Sequence, residues 1–169
     1  MATWREHALW TASASGRASQ ARHDEVYRWL LGCLSLPDAT VRALARTWQI
    51  DEECIRQALV REWVASEAEE IVILYALECS IGAPIGIAGF YLEPIITTDD
   101  PLARDLDRIA RIERWRLTAP YGAILLPCRN HRGQIVRLEY IRSPYDRPHV
   151  CTSRERAGGA PAYSIGYLV

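Results

Sequence analysis

Lysine is missing from this sequence of 169 residues, in which all 20 basic residues are arginine. Arginine suits paired contacts to phosphate and stacking on bases, yet a GC-rich coding sequence produces the same bias, and we favour that compositional explanation. Long apolar runs are missing as well. None approaches the roughly 18 residues of a membrane span, and residues 1–20 lack the apolar core of a secretory signal. We therefore expect a cytoplasmic protein without a membrane partner.

The cysteines do not follow the pattern of a disulfide framework. Their number is odd, they are widely spaced, and most stand among apolar residues, which predicts reduced core thiols and no cysteine nucleophile. A chain of this length can bury roughly 70% of its unfolded surface, so the fold needs no cross-links. The five cysteines are Cys33, Cys54, Cys79, Cys128 and Cys151.

What the chain does contain is a strong charge difference between its two parts, although the formal net charge is only −1. Residues 1–100 carry 8 arginines against 15 acidic residues, a balance of −7. Residues 101–169 carry 12 arginines against 6 acidic residues, a balance of +6. Codon bias alone does not sort arginines to one end, so the C-terminal part is the candidate for contact with a polyanion.

Hydrophobic periodicity divides the chain into three segments. Residues 1–20 are predicted to form a loosely attached arm, residues 21–83 a helical subdomain, and residues 84–169 an α+β subdomain. A stretch rich in Gly and Pro after Gly82 indicates the boundary. The predicted helices run from Asp24 to just before Pro37, from Asp38 to Trp48, from the cap Asp51 to about Val64, and from the cap Ser66 to Gly82.

Beyond residue 84 the pattern becomes mainly extended. One more helix is predicted over 99–114. Two strands then flank a polar turn at 129–133, which indicates a β-hairpin, and we expect strands at 122–128, 134–142, near 148–153 and at 162–169. The expected fold class is α+β, with a helical N-terminal half followed by a small, mainly antiparallel β-sheet that contains a central hairpin.

Residues 45–55 have the spacing of a helix-turn-helix, whose second helix enters the major groove in DNA-binding proteins. Here that helix begins Asp51-Glu52-Glu53, so its start would meet phosphates with like charge. We therefore favour an ordinary packed helix pair.

Two further patterns suggest metal chemistry without establishing it. Two thiols and two imidazoles are a known set of zinc ligands and could bind zinc together if their strands pair, although no Cys-x-x-Cys knuckle is present. We favour the interpretation that Cys128 is a core residue and His131 a surface residue. We expect no cofactor. The zinc alternative consists of Cys128, His131, His149 and Cys151.

Close acidic residues in the C-terminal part could hold Mg²⁺ for phosphoryl transfer. They stand at a predicted helix start, where acids are expected on electrostatic grounds, and we favour capping. No Walker loop, Rossmann glycine pattern, HExxH or GxSxG occurs, so no catalytic residue is predicted. The acids are Asp99, Asp100, Asp105 and Asp107.

Arginines interleaved with aromatic residues occupy the predicted hairpin and the segment after it. A sheet surface that binds single-stranded nucleic acid uses guanidinium groups on phosphates and rings under bases. An alternating strand also exposes charge simply to stay soluble, and the pattern leaves both interpretations open. The predicted binding residues are Arg129, Arg132, Arg137, Arg142, Arg147 and Tyr140, with Tyr145 and His149 nearby.

The same residues carry a resemblance to a known family. The segment ILLPCRNHRGQIVRLEYIRSP, followed by RPHVCTS and GGAPAYSIGYL, resembles the N-terminal, pre-Toprim part of the catalytic core of bacterial, phage and plasmid DNA primases. That part contains an IP-x-R-D-x-x-G-x-I-x-G hairpin, a Y-L-S strand and a G-x-P turn. The helical stretch VYRWLLGCLSLPDATVRALARTWQIDEECIRQALV and the connection ALECSIGAPIGIAGFY are similar to segments that precede this hairpin in primase-like proteins. The similarity covers roughly residues 24–169.

Position by position, the resemblance assigns Arg129 to the hairpin arginine, Gly133 to the turn glycine, and Arg142 to the basic residue that ends the second strand. Gly159-Ala160-Pro161 matches the pre-Toprim turn, whereas Asn130 replaces the usual Asp and Arg137 the second glycine. The metal-binding acids of a Toprim domain and the zinc ribbon of primases are not found in this sequence. Primer synthesis by this polypeptide alone is therefore not expected.

The resemblance implies a nucleic-acid-binding protein that positions a single-stranded template for a separate Toprim or helicase chain. The alternative is a non-enzymatic protein-interaction or regulatory module of a mobile element, which uses the acidic helical half as a docking surface and binds no DNA. A degenerate remnant without activity is the third possibility.

Overall fold

The computed structural model describes residues 18–94 and 113–151, which form an α+β fold as expected. Residues 1–17 of the predicted arm, the acidic residues at 99–107, the turn at 159–161 and the strand predicted at 162–169 lie outside these ranges, whereas residues 18–20 of the arm belong to the fold. The helices are α1 (Gln20–Gly32), α2 (Asp38–Trp48), α3 (Glu52–Gln57) and α4 (Glu67–Ile81). The strands are β1 (Arg61–Glu62), β2 (Phe90–Pro94), β3 (Glu113–Leu117), β4 (Ile124–Arg129), β5 (Ile135–Ile141) and β6 (His149–Val150).

The strands form two antiparallel sheets. The larger has the order β1-β4-β5-β6, and the smaller consists of β2 and β3. Strands β4 and β5 are the predicted hairpin, with Ile124 opposite Ile141 and Leu125 opposite Tyr140. The strand predicted near 148–153 is the short β6. Most of the helix predicted over 99–114 lies outside the described residues, but its last two positions belong to β3.

Both faces of the central hairpin are covered by helices. Adjacent strand residues point to opposite faces. Leu125 belongs to a buried cluster with Tyr27 and Leu31 of α1 and with Leu74 of α4. Ile124, Leu126 and Ile141 pack instead with Val41 and Leu44 of α2 and with Ile55 of α3. Since the hairpin is the middle layer between two hydrophobic clusters, its central part does not offer an open sheet face.

Local capping explains most helix boundaries. Asp51 and Ser66 cap α3 and α4 as predicted. The side chain of Asp51 accepts a hydrogen bond from the backbone N–H two residues further on, and that of Ser66 accepts one from the backbone N–H three residues further on. The third helix nevertheless ends at Gln57, not Val64, because Leu59 adopts a left-handed φ of 63° and the chain enters β1. The first helix begins earlier than expected, since Ser19 is its cap.

Asp24, which was expected to begin the first helix, has a tertiary role in its interior. Its Oδ1 accepts hydrogen bonds from the backbone N–H of Ile135 at 2.7 Å and from Arg28 Nε at 2.8 Å. Arg28 Nη2 also donates to the carbonyl of Gly133 at 2.9 Å. These contacts attach the hairpin turn to α1 and hold it in place.

The cysteines are all free thiols, but only two of them are core residues. Burial raises the pKa of Cys128 to about 11 and that of Cys151 to about 12, so both stay protonated near neutral pH. Cys33, Cys54 and Cys79 are exposed, which corrects the expectation that most were core thiols. Within residues 18–94 and 113–151, no helix is both long and apolar enough to cross a membrane.

Candidate nucleic-acid interface

The arginines predicted to bind nucleic acid are distributed over both ends of the hairpin. Arg132 is exposed in the turn between β4 and β5, whereas Arg142 and Arg147 are exposed in the loop between β5 and β6. These two ends are separated by the seven residues of β5, which at about 3.4 Å per residue span roughly 20 Å. The structure therefore does not bring the predicted set together on one surface.

Arg129 and Arg137 are engaged in contacts within the fold. Arg129 Nη2 donates to the carbonyl of Ala58, just after α3, at 3.0 Å. Partial burial, together with the nearby charge of Arg28, lowers the pKa of Arg129. Arg137 Nη2 forms an ion pair with Glu139 Oε1 at 3.1 Å, and Glu139 is only 2% exposed. Arg129 thus links β4 to the end of α3, and Arg137 pairs with a buried carboxylate of its own strand.

The loop between β5 and β6 is ordered by its own polar groups. The carboxylate of Asp146 accepts hydrogen bonds from the backbone N–H groups of Arg142 and Ser143, each at 3.2 Å. Ser143 Oγ accepts one from the backbone N–H of Tyr145 at 3.3 Å. These bonds fix the backbone, while the side chain of Tyr145 stays 83% exposed. An aromatic ring is therefore presented to solvent from a held loop.

An aromatic pair lies at the base of this loop. Tyr140 and His149 are directly opposite on β5 and β6, and their rings stack with centroids 5.3 Å apart and planes at 27°. Tyr140 is half-buried and packs against the hydrophobic core, whereas His149 is exposed. We refer to Arg142, Tyr145 and Arg147, with His149 stacked on Tyr140, as the loop cluster.

The guanidinium groups of the loop cluster differ from those of Arg129 and Arg137 in their surroundings. Among the described residues, no carboxylate lies within ion-pair distance of Arg142 or Arg147. The carboxylate of Asp146, between them in sequence, is occupied by backbone N–H groups. In this part of the structure, two cations and an exposed ring are thus available to an anionic, aromatic ligand.

The opposite end of the hairpin offers a smaller surface. Asn130 Oδ1 accepts hydrogen bonds from the backbone N–H groups of Arg132 and Gln134, both at 3.0 Å, and Gly133 takes a φ of 76° that suits glycine. His131 and Arg132 are exposed on this turn. Only one arginine of the predicted set points to solvent here, so this end is the weaker candidate.

The four residues of the zinc alternative do not form a metal site. Cys128 and Cys151 are buried, His131 is exposed in the hairpin turn, and His149 is exposed and stacked on Tyr140. Within the described part of the chain, no three His, Cys, Asp or Glu residues are placed to hold a metal ion.

The helix-turn-helix spacing corresponds to α2, a tight turn and α3. Gln49 ends α2 in the left-handed region with a φ of 55°, and Ile55 of α3 is buried against Val41 and Leu44. Helix α3 has only six residues and carries two glutamates in its first turn. Because two glutamates at the start of a short helix would meet phosphates with like charge, we keep the interpretation of an ordinary packed helix pair.

A buried charge network was not anticipated from the sequence. Glu70 of α4 is 1% exposed, and its Oε1 accepts hydrogen bonds from Arg116 Nε and from the hydroxyl of Tyr121, both at 3.0 Å. Its Oε2 accepts one from the backbone N–H of Leu117 at 3.3 Å. Glu70 shares a helix face with Leu74 and Leu77, and this spacing is the only sequence signal for its burial. The network joins α4 to β3.

Comparison of the chain with protein-family models, curated proteins and solved structures finds no match. The resemblance to primases therefore stays a prediction from sequence motifs. Of the positions that carry it, Arg129, Gly133 and Arg142 lie in the described hairpin and loop, whereas Gly159-Ala160-Pro161 lies outside the described residues.

Proposed function

We propose that this protein binds single-stranded nucleic acid through the loop cluster and positions it for a separate partner chain. The observation that carries the proposal is the placement of Tyr145, 83% exposed, between the exposed arginines Arg142 and Arg147. Single exposed apolar side chains are common on protein surfaces, so the ring alone would carry no argument. Its combination with two guanidinium groups of the same loop, neither paired with a carboxylate among the described residues, favours a ligand that is both anionic and aromatic.

The chemistry of the loop cluster favours a single strand over a duplex. A base can stack on an exposed ring only when it is free of its neighbours, and each such stack contributes about 1–3 kcal/mol. The arginines are suited to forked hydrogen bonds with successive phosphates. His149 on Tyr140 offers a second ring close to the loop. In a duplex the bases are not available to these rings, and only the phosphate contacts remain.

The role of the bound strand is inferred from the resemblance to primases. In that family the corresponding region precedes the Toprim domain, so a strand held here would be a template for chemistry on another chain. A Toprim or helicase chain is the partner that this proposal requires. The described part of this protein supplies the binding surface, and the partner supplies the catalytic acids.

The test is fluorescence anisotropy of a labelled single-stranded oligonucleotide across a salt series, with duplex DNA in parallel. The informative variant is Arg142→Glu/Arg147→Glu, which changes exposed side chains of the loop only. Its matched control is Arg42→Glu/Arg46→Glu on α2, which makes the same charge change on exposed arginines of another element. A comparison at equal net charge separates local contacts from general electrostatic attraction.

We expect the unchanged protein to bind in a salt-sensitive way and to prefer the single strand. The loop variant should lose this binding, whereas the α2 variant should keep most of it. For every phosphate that the variant no longer binds, the slope of log affinity against log salt should become shallower by about 0.7. Equal weakening in both variants would show a merely electrostatic interaction. Absence of binding at low salt would refute the proposal.

A further inference from the structure

Helix α4 has two opposite apolar sides, of which only one is covered by other parts of residues 18–94 and 113–151. At about 100° per residue, positions 71, 72, 75 and 79 fall on one side, opposite the buried residues Glu70 and Leu77. Ile71 is 43% exposed, Val72 68% and Tyr75 69%, and Cys79 is exposed as well. We call these four residues the outer stripe.

The outer stripe is continuous, and this distinguishes it from the scattered apolar residues of an ordinary surface. Side chains three and four positions apart on a helix are neighbours, so Ile71, Tyr75 and Cys79 form a row with Val72 beside it. The row extends over about two helical turns, or roughly 12 Å. An apolar row of this kind is the usual contact surface for a second helix.

The charges along the stripe indicate what kind of helix would fit. Glu67 and Glu78 flank it on one side and Glu69 on the other, and all three are exposed. Helix α4 contains no basic residue. Glu67, at the N-terminal end of α4, already forms an ion pair with Arg114, so a guanidinium group can bind to a glutamate beside the stripe.

We propose that the outer stripe binds an amphipathic helix of another protein whose apolar side is flanked by arginine or lysine. The apolar row would bury against the partner's apolar side, and the glutamates would face its basic residues. A second copy of this chain fits poorly, because acidic flanks would meet acidic flanks. An anionic membrane surface would be repelled for the same reason. This interaction is separate from the loop cluster and does not depend on nucleic-acid binding.

The first measurement is the binding of a labelled synthetic peptide of about five helical turns, with leucines on one face and arginines beside them. A second peptide with glutamates in place of the arginines tests the charge requirement. We expect the basic peptide to bind and the acidic one to bind about tenfold more weakly or not at all. Equal binding of both would overturn the proposed charge selection, and no binding of the basic peptide would overturn the proposal.

Substitutions then locate the site. Val72→Asp should weaken the basic peptide by about tenfold or more, because it places a charge in the centre of the apolar contact. Ile85→Asp is the matched control, since it introduces the same charge at an exposed apolar residue outside α4, and it should leave peptide binding unchanged. Weaker binding by Ile85→Asp but not by Val72→Asp would place the peptide elsewhere.

Cysteine footprinting gives an independent readout on the unmodified chain. Cys79 lies in the outer stripe, whereas Cys33 and Cys54 are exposed on other elements. Bound basic peptide should protect Cys79 from alkylation and leave Cys33 and Cys54 reactive. The buried Cys128 and Cys151 report that the fold is intact.

The same footprint distinguishes other occupants of the stripe. Protection of Cys79 that rises with protein concentration in the absence of peptide, together with a dimer mass, would assign the stripe to a second copy. Protection that is independent of concentration would mean that this chain covers the stripe itself. Either result would overturn the proposal for an external helix.

Discussion

The arginines of this protein belong to two different environments. Arg116 and Arg137 form ion pairs with glutamates that are almost fully buried, whereas Arg142 and Arg147 extend from a surface loop. The first kind of arginine satisfies a charge inside the fold, and removing its partner should affect stability. The second kind is not needed to pair with a buried carboxylate, so its substitution should affect binding. Arginine density along the sequence therefore does not by itself define a binding surface.

The role of the ion pairs with buried glutamates is tested most strongly by a substitution of Glu70. Glu70→Ala removes the acceptor of Arg116 Nε, of the Tyr121 hydroxyl and of the Leu117 backbone N–H. Breaking a buried ion pair on one side leaves unpaired polar groups, so we expect a loss of about 3 kcal/mol in the free energy of unfolding. Urea denaturation measures it. Glu78→Ala, at an exposed site on the same helix, should change the value by less than about 0.5 kcal/mol.

If Glu70→Ala were as mild as Glu78→Ala, the network would contribute little to the attachment of α4 to β3. The distinction between buried and exposed charges would then not hold for this fold.

The role of the exposed arginines is tested by the variant Arg142→Glu/Arg147→Glu. Removing two charge-assisted hydrogen-bonding groups should weaken binding of a single-stranded oligonucleotide about 100-fold, which corresponds to about 2.7 kcal/mol. The free energy of unfolding should stay within about 0.5 kcal/mol of the original value, because neither side chain is buried. Anisotropy and urea denaturation of the same variant measure both. A variant that loses stability and affinity together would place these arginines in the first environment instead.

Arg129 lies between the two environments, and its substitution sharpens the boundary. Arg129→Ala removes a hydrogen bond from a half-buried guanidinium to the carbonyl of Ala58. We expect a destabilisation of about 1–2 kcal/mol, measured by urea denaturation, with little change in oligonucleotide affinity. Arg132→Ala in the exposed turn is the control and should be nearly neutral for stability. A large decrease of affinity in Arg129→Ala would return this residue to the binding surface that the sequence predicted.

The elements that sequence patterns predicted well are those with local causes. Asp51 and Ser66 cap helices through hydrogen bonds within three residues, and the hairpin follows from two apolar runs around a polar turn. Strand β1 was not predicted because two residues become a strand only by pairing with β4. The early start of α1 was missed because Asp24, a good capping residue, is used to bind the backbone of Ile135.

The same limit applies to the candidate site. The sequence identified arginines and aromatic residues, but the acceptors that engage Arg129 and Arg137 lie elsewhere in the fold or on the same strand face. Ala58 is 71 residues from Arg129 in the chain, and no pattern links the two. Glu139 does follow Arg137 at the spacing of one strand face, so this pair was visible in principle. The sequence pattern did not separate arginines that are engaged within the fold from those that are exposed, because tertiary acceptors cannot be read from composition.

The last expected effect is a pH dependence of stability that the buried thiols at the hairpin produce. Burial raises the folded-state pKa of Cys151 to about 12, above its unfolded value of 9.0. The folded state therefore holds this proton more tightly, and the stabilisation is complete below pH 9 and is lost as the pH rises toward 12.

We expect the free energy of unfolding to fall by up to about 1.4 kcal/mol per pH unit for one such thiol above pH 9. Cys151→Ala should reduce this slope, and Cys79→Ala, at an exposed thiol, should not. Urea denaturation at pH 8 to 11, with oligonucleotide anisotropy at the same pH values for samples that remain folded, measures both regions together. If Cys151→Ala and the unchanged protein had the same slope, another group would control alkaline stability, and the interior of the hairpin would be less dry than its packing indicates.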